Sequence, residues 1–343
     1  VTRVLVVNAG SSSLKLSLLY EGSDDPVAEQ ELESTGGSAD AGELREALAG
    51  RLREADAVAH RIVHGGSRFR AAVRVDAEVR AALGELTSLA PLHQPKSLAA
   101  LDAVRAELPE LPAVACFDTA FHATMPDPAI TFALPARWRE RWGLRRYGFH
   151  GLSHAHVARA VAATRGGEER LISCHLGAGA SLCAIASGRS IDTTMGFTPL
   201  DGLVMATRSG SVDPGLLLWL LEQTGLTESE MAHALEHESG LAGLAGTGDM
   251  RAVLAARDAG EERATLAVAV YLHSLRAGIA AMAAALRGVD LIAFTGGVGE
   301  RSEAIRAEAM AGLEFLNAEV ITIPAREDLE MARQTRELLS SAA

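Results

Sequence analysis

Residues 8–15 read Asn-Ala-Gly-Ser-Ser-Ser-Leu-Lys, gathering a carboxamide, three hydroxyls and an ammonium among small residues. Donors converging on a tight turn suit an anion such as a phosphate, because small residues let the backbone N–H groups approach it. The stretch equally suits an ordinary hairpin with a polar tip. In AVAHRIVHGG, alternation over 58–63 sets Arg61 and Val63 on one face of a strand, with His60, Ile62 and His64 on the other. An arginine beside a small apolar side chain fits a carboxylate with a short tail; it also fits a solvent-facing arginine on an edge strand. Asp118-Thr119 end the apolar run 114–117, where α/β sheets bind ligands, although Asp is also a common N-cap. RYGFHGLSH at 146–154 concentrates Arg, Tyr and two His around two glycines. His150 there fits a functional loop or a structural histidine, and Ser153 fits the N-cap of a helix over 153–165.

The elements that must carry these groups repeat. The opening plan is an apolar strand, a small-residue turn and a second strand, and it returns at 171–187 with CHLGAGASLCAIAS aligning over VVNAGSSSLKLSLL. A unit repeated about 170 residues apart predicts two related halves, each with a turn of backbone donors. Neither turn is a Rossmann fingerprint: Leu182 stands where the third glycine is required, and a strand follows. Between them the pattern predicts a short helix at 43–53 and helices at 77–89 and 96–108. Beyond the second turn, 190–214 and 239–251 read as loops. Asp213-Pro214 begins a helix to 223, and Thr227 with Glu230 forms a capping box. A long Ala-rich core helix spans 264–286. The strand 289–294 runs through glycines into a helix whose N-terminus suits a phosphate or ribose. A last strand, 320–323, precedes Glu327 and a terminal helix.

Composition bounds the function. With 343 residues, 48% hydrophobic and 22% charged, the chain is long enough for two domains with sizeable cores. A net charge of −12 argues against nucleic-acid and anionic-membrane partners. Cys116, Cys174 and Cys183 show no metal-like spacing and fit buried thiols in a reducing, cytoplasmic setting without a signal peptide. Only Lys15 and Lys96 of the 32 basic residues are lysines, which draws the eye to a lysine beside the serine turn.

Taken together and in order, NAGSSSLK (8–15), HRIVHGG (60–66), FDTAFH (117–122), YGFHGLSH (147–154), HLGAG (175–179), MGFTPLDG (195–202), TRSGSVDPG (207–215) and GGVGE (296–300) resemble the acetate kinase family. These are short-chain acyl kinases of the actin/sugar-kinase/Hsp70-like superfamily. The resemblance implies an α/β, duplicated two-domain actin/ribonuclease H-like ATPase fold with its active-site cleft between domains. One domain would be 1–119 plus 326–343, the other, nucleotide-binding, 120–325. It implies Mg²⁺ (or Mn²⁺) near Asn8 and Glu327, and Ser11, Ser13 and Lys15 on the first phosphate turn. Asp118, His150 and Arg208 would be catalytic. Arg61 would bind the acyl carboxylate, with Val63, Leu92, Phe149 and Pro199 lining its pocket. His175, Leu176, Gly177, Ala178 and Gly179 would form the second phosphate turn. Asp249, Met250, Arg251, Gly297, Val298, Gly299, Glu300 and Arg301 would hold the adenosine, and two copies would form a homodimer. Two departures touch nucleotide binding: Ala178 replaces the Asn of HLGNG, and Arg301 stands where GIGEN has Asn.

The implied reaction is reversible, direct in-line transfer of the ATP γ-phosphoryl group to acetate. The nucleophile is already ionised near neutral pH, so no general base is required, and Asp118 would orient an arginine or a magnesium-bound water. Propionate or butyrate kinase activity and a catalytically impaired paralogue are the alternatives.

Overall fold

The computed structural model describes residues 1–10, 13–33, 40–91 and 93–341, and the chain divides into two compact units. The first comprises Val1–Ala123, His150–His156 and Arg326–Ala343. Its first strand, β1 (Arg3–Ala9), buries the apolar residues 4–7 and carries Asn8 near its end. β1 pairs antiparallel with β2 (Ser13–Tyr20), and β2 with β3 (Ala28–Glu33). After α1 (Ala41–Ala47), the chain returns as β4 (Ala57–Ile62), parallel to β1. The helix expected at 43–53 is α1 followed by a separate 3₁₀ turn; Asp40 caps α1 through Gly42 and Glu43 N–H, fixing the earlier start. β5 (Val73–Arg74), α2 (Ala77–Glu85) and α3 (Gln94–Glu107) lead to β6 (Ala113–Phe117). The strand order is β3-β2-β1-β4-β6-β5. One face buries Leu5, Val7, Val58 and Val104 of α3. The other buries Val4, Val6, Ala59, Val114 and Cys116 against Met331 and Ala332 of the terminal helix.

The second unit comprises Thr124–Phe149 and Val157–Ala325. It begins with α4 (Asp127–Ile130) and α5 (Ala136–Trp142); α6 (Gly151–Arg165) runs on from the first unit. β7 (Arg170–Leu176), β8 (Ala180–Ala186) and β9 (Arg189–Thr193) form an antiparallel meander. The strand β9 lies where a loop is expected. A two-residue turn makes it: Ser187 and Gly188 both have positive φ, 47° and 69°, the hairpin geometry that keeps strands twisted correctly. Next come α7 (Pro214–Thr224), α8 (Glu228–His233) and α9 (Gly240–Ala245), the last also within a stretch read as loop. Asp213 caps α7 and the Thr227–Glu230 capping box is formed, both as expected.

α10 (Met250–Asp258) and α11 (Glu262–Leu286) follow, then β10 (Leu291–Thr295), α12 (Gly296–Arg301), α13 (Glu303–Met310), β11 (Glu319–Thr322) and α14 (Glu327–Ser340), which belongs to the first unit. By length and composition α11 is long and apolar enough to cross a membrane. Leu272, Leu275 and Ile279 are instead buried as it packs on β8 and α10, the arrangement of a core helix. The sheet order is β11-β10-β7-β8-β9, with β7, β10 and β11 parallel. Antiparallel hairpin neighbours on one side and parallel crossover strands on the other repeat the plan of β3-β2-β1-β4-β6. The sequence repeat is therefore a repeat of whole sheets: a duplicated actin/ribonuclease H-like fold.

Candidate active site

In the first unit the parallel strands β1, β4 and β6 deliver their polar residues to one end of the sheet. β4 carries Arg61, directly across from Cys116 on β6. Asp118 follows β6, its N–H bonded to the Ile62 carbonyl at 3.1 Å. The Asp118 carboxylate accepts from Arg61 Nε at 3.2 and 3.1 Å and from Nη2 at 2.8 Å. Arg61 Nη1 donates to Asn8 Oδ1 at 3.2 Å and lies 3.7 Å from Glu327 Oε2, at the start of α14. The pair is largely withdrawn from solvent, with side chains 18% and 3% exposed. Burial raises the Asp118 carboxyl above its usual range, opposed by the Arg61 charge and hydrogen bonds. Burial weighs against the Arg61 charge as well, but Asp118 and Glu327 outweigh it and hold the guanidinium protonated.

The neighbouring backbone is shaped to hold this geometry. Gly151 N–H donates to the Asp118 carbonyl at 2.8 Å, and a Cβ at Gly151 would stand 2.2 Å from that oxygen. Helix α6 begins there, so Ser153 is a buried residue inside the helix and not its N-cap. His150 precedes it in a left-handed conformation, φ 56°. The His64-Gly65-Gly66 bend is pinned by Gln94, fully buried, which accepts from His64 N–H and donates to its carbonyl. Gln94 escaped the sequence reading because nothing in a Pro-flanked turn says that its side chain points inward. Val63 is half-buried beside this bend, Ser13 starts β2, and Lys15 faces Asn8 across the strands while pairing with Glu31 at 3.7 Å. Ser11 and Leu92 lie outside the described residues.

In the second unit a cavity of about 620 Å³ opens beside the turn after β7. Gly177, Ala178, Asp249, Met250, Arg251, Gly297, Val298 and Arg301 all line it, joined by Asp258 and Ser302, which carried no sequence signal. The turn closes on itself, Gly177 N–H to Gly179 O at 2.9 Å, following His175 and Leu176 at the end of β7. Asp249 caps α10 through Arg251 N–H. Glu300 and Gly299 do not line the cavity: Gly299 is buried, and Glu300 Oε1 accepts from Gly296 and Ala325 N–H at 3.0 and 2.9 Å. Glu300 thus braces the loop, using the Gly296 N–H that an anion at the helix start would otherwise find.

Also in the second unit, Arg208 donates to the Pro199 carbonyl at 3.3 Å and pairs with Glu236 at 3.2 Å. Burial lowers the Arg208 pKa, opposed by Glu236, whose sequence context gave no hint of that partnership. Phe149 and Pro199 are buried.

The acetokinase family model matches residues 39–338. The chain is similar to the acetate kinase of Deinococcus radiodurans, 42% identical with 96% of each chain covered. Among solved structures it is similar to Porphyromonas gingivalis acetate kinase, 34% identical with a TM-score of 0.89, covering 99% of this chain and all of that one. It is equally close in shape to a Francisella tularensis propionate kinase, 31% identical, TM-score 0.90, covering 97% and 99%. With a duplicated sheet, a buried Arg61–Asp118 pair and a glycine-rich cavity in the second sheet's unit, the chain belongs to the acetokinase family.

Proposed function

We propose that this chain is an acetate kinase, transferring the γ-phosphoryl group of ATP to acetate and back from acetyl phosphate to ADP. The observation that carries the reading is the Arg61 guanidinium, buried and oriented bidentately by Asp118. A guanidinium fork matches a planar carboxylate; Asp118 takes its Nε–Nη2 edge, so acetate is met by the remaining Nη N–H groups, and Val63 beside them suits a short acyl tail. Acetate arrives ionised, so the reaction needs no base, and Asp118, with both oxygens on Arg61, is an orienting group. Bringing two anions together makes catalysis a matter of position and charge. Arg61 aligns the nucleophile, while Arg208 and His150 meet charge on the transferring group in line. The turn 175–179 and the cavity of the second unit hold the nucleotide.

Asn8 and Glu327 bring oxygen donors beside Arg61, the hard-ligand chemistry of Mg²⁺, which takes one or two carboxylates and completes its shell with water and phosphate. Among the described residues no cluster of three His, Cys, Asp or Glu would hold a metal alone, which suits an ion carried by the nucleotide. Asn8 and Glu327 would hold it, Mn²⁺ being chemically equivalent, and it would neutralise phosphate charge. The three buried free cysteines support a reducing, cytoplasmic setting, and α7 supports a homodimer, since none of its residues is buried.

Trapping acetyl phosphate as its hydroxamate from acetate and MgATP tests the reaction; no product at saturating substrates overturns it. Relative kcat/KM for acetate, propionate and butyrate then fixes the acyl preference, with acetate expected highest.

A further inference from the structure

The cavity beside 175–179 has an end that phosphate binding does not explain. α12 starts against the glycine turn, with Gly296 packed on Leu176 and Arg301 its last residue, and α10 starts nearby, Gly248 packing on Ala206, whose N–H donates to the Ala178 carbonyl. At 1.5 Å per residue the six residues of α12 extend roughly 9 Å and the nine of α10 roughly 13 Å. Their C-terminal ends, carrying Arg301 and Asp258, therefore line the cavity remote from the phosphate turn, where a nucleotide's base belongs. Leu254, Ala255 and Val298 supply apolar wall between. Among the described residues the Arg301 guanidinium has no ion pair or hydrogen-bond partner. Among the described residues Asp258 is held only by a 3.3 Å contact to Arg257 Nε, and Arg257 turns its Nη1 to Glu308.

A free five-donor fork and a carboxylate at one base site have a chemical preference. Guanine presents two acceptors, O6 and N7, to an arginine fork and N–H donors to a carboxylate; adenine presents its N6 amino group where the fork needs an acceptor. We propose that Arg301 and Asp258 read the purine and favour guanine, so that the chain uses GTP at least as well as ATP. This inference rests on the kinase reading of the same site.

The test compares kcat/KM for MgGTP and MgATP with acetate, using the full chain and two surface variants, Arg301→Asn and Asp258→Asn. The expected GTP/ATP ratio is one or greater in the parent. It falls roughly tenfold in Arg301→Asn, since a carboxamide matches adenine's N6/N7 edge, and falls also in Asp258→Asn. A parent ratio below one, or a ratio unmoved by Arg301→Asn, overturns the proposal. If neither nucleotide supports acetyl phosphate formation, the kinase reading fails by itself. Calorimetric Kd values for GDP and ADP then still decide the base preference: tighter GDP supports it and tighter ADP overturns it.

Discussion

Arg61 is a buried cation whose charge is answered by two carboxylates and one carboxamide, all from one unit. Replacing Asp118 by Asn keeps the shape and removes the nearest countercharge. A buried pair broken on one side typically costs about 3–5 kcal/mol, and a misaligned substrate clamp costs about 10² or more in rate. Asp118→Asn is therefore expected to lower the urea midpoint and to cut kcat/KM for acetate by at least about 10²; full activity in a folded variant would remove Asp118 from the site. Arg208→Ala tests the other cation, with kcat expected to fall about 10²–10³ and the nucleotide KM to move little. The residues at these positions were legible through the ordered family motifs that carry them, FDTAFH at 117–122 and TRSGSVDPG at 207–215. Their partners were not: Glu236 and Gln94 act through folding that brings together residues 28 and 30 positions apart, Arg208 with Glu236 and His64 with Gln94.

At the scale of the element, β4 alternates as its sequence predicts, and its buried face carries a cost that pH reveals. Among the described residues, His60, 1% exposed, has no partner for either ring nitrogen. Burial lowers its pKa from 6.5 to about 3, with Arg105 lowering it further and Asp102 opposing. His64, buried in the next bend, falls to about 4. A histidine depressed in the folded state stabilises fully above pH 6.5 and loses that contribution as pH falls toward the folded value, because the unfolded chain takes the proton first. Between pH 7 and 5 each should cost about 2 kcal/mol at 1.36 kcal/mol per unit. His60→Leu is expected to lose about 2 kcal/mol less over that interval, read from urea denaturation at the two pH values; an unchanged slope would show that His60 is not the titrating group. Caps at Asp213 and Thr227 were legible because their signals are local. The start of α6 was not, because Gly151 is selected by the carbonyl of Asp118, 33 positions away, and not by a neighbouring cap.

On the scale of the whole molecule, the duplicated plan followed from one repeated strand–turn–strand, since each half needs the same parallel strands to complete its sheet. What one chain leaves open is its surface. α7 reads PGLLLWLLEQT, and Leu218 and Trp219 are 60% and 56% exposed beside Leu216 and Val212. On a chain of net charge −12 such a stripe is out of keeping with a lone monomer. On the homodimer proposed above, a second copy would cover it, because a two-fold interface sets the same patch against itself and needs no separate partner. The symmetry also sets the size of the effect. Trp anchors in interface centres contribute about 2 kcal/mol or more, and one substitution removes two of them. Trp219→Glu should therefore weaken pairing by about 4 kcal/mol, near a thousandfold in Kd, besides setting two like charges against each other. Light scattering at micromolar concentration should show a dimer for the parent chain and a monomer for the variant. A monomeric parent chain would assign α7 to some other contact, whereas a dimeric Trp219→Glu would move the interface elsewhere on the surface.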